Sequence, residues 1–212
     1  MAGDLSVWAH LPGAFTGWAF GDYRLLLTAH LPDVAVQAFA WFDNSYDKGY
    51  QGIIGVTEVP GTHLLIVAIQ RDSAPALYDP QRKQLLRKLR LADRGGNPEF
   101  RYHAAANEFW ATDYDFLVKL DGKNLMPIKA AQLQDAGSGT RQFIGNFCFN
   151  RDASLCWVAR PFSGDVLALD ADSMRQVHRI ALAGQPLDIG ILADDTIVTR
   201  DWKTGAPASR KH

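Results

Sequence analysis

Four short apolar runs in this chain end in an aspartate and then turn: Trp41-Phe42-Asp43-Asn44, Leu77-Tyr78-Asp79-Pro80, Val118-Lys119-Leu120-Asp121-Gly122 and Leu167-Ala168-Leu169-Asp170-Ala171. The aspartates stand 36, 42 and 49 residues apart. A return at ~40–45 residues is the period of a four-stranded antiparallel unit that covers its faces by stacking on neighbouring copies of itself. That period constrains the fold more than any single motif does, and it says nothing of chemistry, because repeat scaffolds are shared among unrelated functions.

The strands can be read inside the period. From Asn146 to Leu182 the order is Phe147-Cys148-Phe149, a turn at Asn150-Arg151-Asp152, then Leu155 to Ala159. After the break at Pro161-Phe162-Ser163-Gly164 come Val166 to Leu169, the Asp170 turn, and Gln176 to Leu182. Upstream, Phe100 to Ala105, Phe109 to Thr112, Phe116 to Leu120 and Met126 to Leu133 repeat the order, as do Ile53 to Val59, Leu64 to Ile69, Ala76 to Tyr78 and Gln84 to Leu91. The first unit is the least regular: Trp18 to Phe20, Leu25 to Ala29 and Val34 to Phe42 fit, and its fourth strand is barely visible. The last has Leu187 to Leu192 and Thr196 to Thr199 and then stops where outer strands should follow. The reading is an all-β β-propeller of about five four-stranded units, one domain over residues 1–212, either a small propeller or part of a larger one. A β-sandwich explains the strand composition equally well but not the in-phase return of the aspartate turn. Only Pro80 to Arg90 has helix-like spacing.

Gly164-Asp165-Val166-Leu167-Ala168-Leu169-Asp170, followed by Gln176-Val177 and Gly184-Gln185-Pro186, resembles a YVTN-type repeat. Phe109-Trp110-Ala111-Thr112-Asp113 resembles the strand-then-aspartate signature of NHL and gluconolactonase-like propellers. The resemblance covers roughly residues 50 to 205. It implies a ring of units with ligands bound at one face near a central channel.

A hydrophobic content of 47% in 212 residues is enough for a real core. The net charge of −1 gives no field to gather nucleic acid or an anionic membrane. The basic run Arg82 to Arg90 interleaves with Leu85, Leu86 and Leu89 and reads as a solvated strand edge. No apolar run spans a membrane, and Met1 to Leu11 lacks the form of a secretory signal. The expectation is a soluble protein, cytoplasmic or exported if a leader has been removed. Cys148 and Cys156 flank a hairpin; a centre at Asp152 sets them opposite one another, and a centre half a residue earlier sets Cys148 opposite Leu155. Buried free thiols and a cross-strand disulfide both remain open.

The second strands end at Ala29-His30, Gln70-Arg71-Asp72, Thr112-Asp113, Ala159-Arg160 and Thr199-Arg200-Asp201. Each unit thus presents an ionisable group at a corresponding place. Read functionally, His30, Arg71, Asp72, Asp113, Asp115, Arg160, Arg200 and Asp201 ring a channel mouth and suit a polar or anionic ligand. Read structurally, they end strands at water and pair with one another. Arg160, which has no acidic neighbour in sequence, is the expected anion contact, and Arg160→Ala is expected to leave stability nearly unchanged. His103 sits on an inner strand, facing the channel or bonded to backbone. The six tryptophans recur through the units as core aromatics should.

The favoured function is a non-enzymatic binding scaffold for a small polar ligand or a protein partner, with no cofactor. The alternative is a metal-dependent lactonase- or esterase-like hydrolase. It would use calcium or magnesium on Asp72, Asp113, Asp115 and Asp201 with Asn146. No Gly-x-Ser-x-Gly elbow is present, and Gly137-Ser138-Gly139 precedes a strand rather than a helix. At the ends, Leu5 to Ala9 has no partner of its own and is expected to complete the last unit.

Overall fold

The computed structural model describes residues 24–29, 38–43, 53–69, 74–82, 84–92, 98–135 and 142–211. The chain divides into two compact units, Met1–Phe100 and Arg101–His212. Among the described residues every regular element is a strand, and no helix is long and apolar enough to cross a membrane. The expected Leu5–Ala9 closure, the strand at Trp18 to Phe20, a fourth strand between Asn44 and Gly52, and Gly137-Ser138-Gly139 lie outside the described residues.

In the first unit β1 (Arg24–Ala29) pairs antiparallel with β2 (Ala38–Asp43). A four-stranded meander follows: β3 (Ile53–Glu58), β4 (Leu65–Ile69), β5 (Ala76–Asp79) and β6 (Gln84–Lys88). The helix-like spacing at Pro80 to Arg90 therefore gives way to a turn and a strand. Tertiary pairing overrides it, since β6 completes the sheet by hydrogen bonding to β5.

The second unit holds two four-stranded meanders and a three-stranded sheet. The first runs β7 (Phe100–His103), β8 (Glu108–Asp113), β9 (Phe116–Asp121) and β10 (Pro127–Gln132). The second runs β11 (Phe147–Phe149), β12 (Leu155–Arg160), β13 (Asp165–Asp170) and β14 (Gln176–Ala181). The last is β15 (Pro186–Ile191), β16 (Thr196–Asp201) and β17 (Pro207–Lys211), so a third strand stands where the sequence appeared to stop. Its composition, Pro-Ala-Ser-Arg-Lys, carries no bulky apolar residue, which is why it was not legible as a strand.

β12 and β13 read as nearly unbroken apolar runs because both faces of their sheet are covered. Cys156, Val158, Leu167 and Leu169 join Trp110, Leu117 and Phe147 in one core. The alternate residues Trp157, Ala159, Val166 and Ala168 join Ile189 and Ile197 in another. Period-two alternation thus sends successive residues of one strand into two different cores. The same register corrects the expected hairpin. Phe149 faces Cys156 and Cys148 faces Trp157, so the hairpin centre lies just past Asp152, later than either centre considered; the two cysteines lie on opposite faces and both are free.

The aspartate turn is a hydrogen-bonded device. Asp121 Oδ1 accepts from the N–H groups of Lys123 and Asn124, and Asp79 Oδ1 from those of Gln81 and Arg82. Asp170 Oδ1 accepts from the N–H and hydroxyl of Ser173. The backbone then passes through the left-handed region at Leu125 (φ 56°) and Met174 (φ 54°). Asp201 makes the same turn between β16 and β17, accepting from Lys203 and Thr204 and releasing the chain through Gly205 (φ 69°).

Candidate functional site

The ends of the second strands carry the predicted ionisable groups. His30, Arg71 and Asp72 fall outside the described residues. In the second unit the groups are consumed by the fold. Asp113 ends β8 and Asp115 lies in the two-residue turn to β9, both buried, and Asp115 Oδ2 accepts from Gln132 Nε2 at 2.8 Å. His103 is buried with Nε2 2.8 Å from Ala153 O, and its Nδ1 accepts from Ala106 N–H at 3.2 Å. Because Nδ1 accepts, the proton sits on Nε2 and donates to the carbonyl. Both ring nitrogens are bonded to backbone.

Arg160 is the main correction. It is 4% exposed, and in register it faces Asp165 across the β12–β13 pair. Its Nε and Nη2 donate to the two oxygens of Asp165 at 2.7 and 2.6 Å. Nη1 donates to Leu133 O at 2.7 Å and to Asp135 Oδ1 at 3.0 Å, beyond the end of β10. Arg179 of β14 closes the network, with Nε 2.6 Å from Asp165 and Nη2 3.3 Å from Asp135. The Arg160 guanidinium holds the Asp135 carboxyl below the usual carboxylate range. A residue without an acidic neighbour in sequence thus acquires two in space, one by hairpin register and one from the adjacent sheet. No donor is left over for an anion.

Arg200 repeats the logic. It stands opposite Asp188 in the β15–β16 register and is ion-paired to it, while Asn146 Nδ2 donates to Asp188 Oδ1 at 2.7 Å. Asp201 Oδ2 accepts from Gln185 N–H at 2.5 Å, and Oδ1 accepts from Thr204 N–H and its hydroxyl as well as from Lys203 N–H. These donors, Gln185 N–H foremost, lower the Asp201 carboxyl to about 2. Of the residues weighed for calcium or magnesium, Asn146 bonds to Asp188 and Asp201 to the backbone of its own turn and of Gln185, and Asp72 lies outside the described residues. Among the described residues no three His, Cys, Asp or Glu side chains form a group able to hold a metal ion.

What the same loops do present is aromatic. Phe143 enters β11, Phe162 lies in the β12–β13 turn and Trp202 in the β16–β17 turn. Their rings meet edge to face, with centroids 5.0 Å (Phe143–Phe162), 5.3 Å (Phe143–Trp202) and 5.5 Å (Phe162–Trp202) apart. Phe162 is 43% and Trp202 44% exposed. Trp110 and Trp157 are core residues as the repeats predict, and Trp202 is not. A large aromatic inside Pro161-Phe162-Ser163-Gly164, a turn of otherwise small and polar residues, was the signal available in sequence.

No protein-family model and no curated protein matches this chain. Solved structures do. A periplasmic gluconolactonase of Pseudomonas aeruginosa is similar with TM-score 0.61 and 12% identity, over 89% of this chain and 62% of that one. The Swd1 β-propeller domain of Myceliophteria thermophila is similar with TM-score 0.63 and 10% identity, over 88% and 63%. Hydrazine synthase of Kuenenia stuttgartiensis gives TM-score 0.58 and 15% identity, over 74% and 45%. The chain therefore spans between 45% and 63% of the length of these structures. Likeness at such identities shows architecture and not activity, and the architecture is the one that the aspartate period pointed to: this chain is built as a β-propeller.

Proposed function

We propose that the chain is a non-enzymatic binding scaffold that takes a protein partner on the loops joining second to third strands and the segment leading into β11, with Phe143, Phe162 and Trp202 as the anchor. The observation that carries this reading is the three-ring cluster, assembled from three separate segments, in which Phe162 and Trp202 are exposed and Phe143 is half-buried. Aromatic side chains dominate binding energy at protein interfaces, and contiguous exposed apolar surface on a soluble fold marks a contact site. The neighbouring arginines support the reading by what they lack, since Arg160 and Arg200 are already paired to aspartates.

The test places a photo-cross-linking phenylalanine analogue at Phe162, with the same analogue at Ile128 on the outer strand β10 as the control. The expected result is a discrete cross-linked protein from position 162 that is absent from position 128 and lost with Trp202→Ser. Hydrolysis of a sugar lactone that requires added calcium or magnesium, and that disappears in Asp113→Asn, would overturn the scaffold reading in favour of the hydrolase.

A further inference from the structure

The loop joining β14 to β15 and the turn joining β16 to β17 enclose a cavity of about 270 Å³. Leu182, Pro186 and Pro207 supply its apolar wall, and Gln185, Thr199, Asp201 and Thr204 its polar part. Asp201 is the one ionisable side chain in the lining. No cation stands beside it there, and its charge is fixed by the N–H groups of Gln185, Lys203 and Thr204.

Gln185 differs from every other polar group at this end of the unit. Its Oε1 is the one buried side-chain oxygen or nitrogen among the described residues without a hydrogen-bond partner. Natural structures rarely leave such an acceptor orphaned, and an exception calls for an account. Its backbone cannot move to find one: the N–H donates to Asp201 and the carbonyl accepts from Trp202 N–H at 2.8 Å. Gly184, at φ +109°, presses this loop so closely on Asp201 that an added Cβ would lie 2.6 Å from Oδ2. Gln185 lines the cavity, and its terminal amide torsion is soft, so the amide can turn to meet a donor without disturbing the backbone.

The cavity therefore combines a fixed negative charge, an acceptor in want of a donor and the hydroxyl of Thr199, with no group that would welcome an anion. We propose that it binds a small primary ammonium compound, whose N–H donates to Gln185 Oε1 and whose short alkyl body lies against Leu182, Pro186 and Pro207. The alkyl part suits the wall by burial, and the ammonium suits Asp201 by charge. This does not depend on the aromatic cluster, and either could fail alone.

The test titrates n-butylammonium chloride into the purified full chain by amide NMR and calorimetry. Sodium butyrate and n-butanol at equal ionic strength serve as charge-reversed and neutral isosteres. Saturable shifts at residues 184–186, 199 and 204 are expected, with butylammonium bound at least about tenfold more tightly than butyrate. Gln185→Leu, which keeps the backbone bonds and removes the orphaned acceptor, should melt no lower than the parent and lose about tenfold in affinity. Should that variant fold poorly, Thr199→Val serves in its place, with weaker binding expected. The absence of a saturable response, an equal response to butyrate, or undiminished binding in a folded Gln185→Leu would each show that the cavity holds only water.

Discussion

At the scale of single residues, the ionisable groups that mark the strand ends hold the fold rather than a ligand. Arg160 sits 5% exposed at its side chain against Asp165 at 1%, with Leu133 O and Asp135 completing its donors. Removing one partner of a buried ion pair strands the other in a low-dielectric site. Arg160→Ala is therefore expected to cost about 3 kcal/mol, the low end of the usual range because Arg179 still faces Asp165. That reverses the sequence-based expectation of an unchanged melting temperature, and urea titration measures it. Asp201 gives a pH test. Its folded carboxyl is lowered to about 2, below the ordinary 3.8, so its contribution is full above pH 3.8 and lost as pH falls toward 2. The gap in melting temperature between the parent and Asp201→Ala should be constant at neutral pH and close as pH drops through that window. A gap that persists undiminished at pH 2 would mean that the protonated side chain holds the turn as well as the carboxylate does, and that the charge contributes nothing. The thiols make a third case. Burial pushes Cys148 up to about 11 and Cys156 well above its ordinary value. Because the thiolate is the reactive form, neither should react with a disulfide reagent at pH 8 in the native protein, and both should react in denaturant.

At the scale of elements, the outermost strands carry a device that no propensity reveals. Each third-to-fourth-strand pair slips by one residue. Leu77 faces Arg87 while Tyr78 faces Leu85, Lys119 faces Lys129 while Leu120 faces Pro127, and Ala168 faces His178 while Leu169 faces Gln176. The residues passed over, Leu86, Ile128 and Val177, are 40%, 55% and 46% exposed. A bulge at an outer strand bends and twists it, which spoils edge-to-edge pairing with another molecule. The apolar character of the bulged residue is then incidental, while its presence is not. Val177→Thr should change stability by no more than about 0.5 kcal/mol. Deleting Val177 should lower the melting temperature sharply, because it forces the Asp170 turn and β14 out of register. Equal melting of the deletion and the parent would show that the bulge is slack. Strands and turns were legible in the sequence because local apolar runs and the Asp-x-x-x turn fix them within a few residues. Bulges, the Arg160 network and the Phe143–Phe162–Trp202 cluster were not, because each depends on register or on a neighbouring sheet. Which of the two alternatives held for His103 was not legible either: residue type marks what can ionise, and packing decides what is already bonded.

At the scale of the second unit, stability should be graded by how many faces of a sheet are covered. The sheet β11–β14 lies between two cores, one reaching Trp110 and Phe147 and the other Ile189 and Ile197. The corresponding third strands β9 and β13 are buried almost throughout, whereas all five residues of β17 are exposed. A stack of this kind draws its stability from nearest-neighbour interfaces, and the middle sheet has one on each face. Local opening follows the same gradient, because an amide exchanges through the cheapest opening that frees it. The slowest amides in hydrogen exchange are expected in β12 and β13, with β17 among the fastest of the strands. Trp157, 2% exposed and packed toward Ile189 and Ile197, couples the two sheets. Trp157→Ala should cost about 3–5 kcal/mol and speed exchange in β15 and β16 as much as in β12, since it empties the face that they share. Leu117→Ala, on the other side of the middle sheet, should instead speed exchange in β8 and β9 and leave β16 less affected. Uniform acceleration by both substitutions would mean that the unit opens as a single body, and the graded stack would be the wrong description of its energetics.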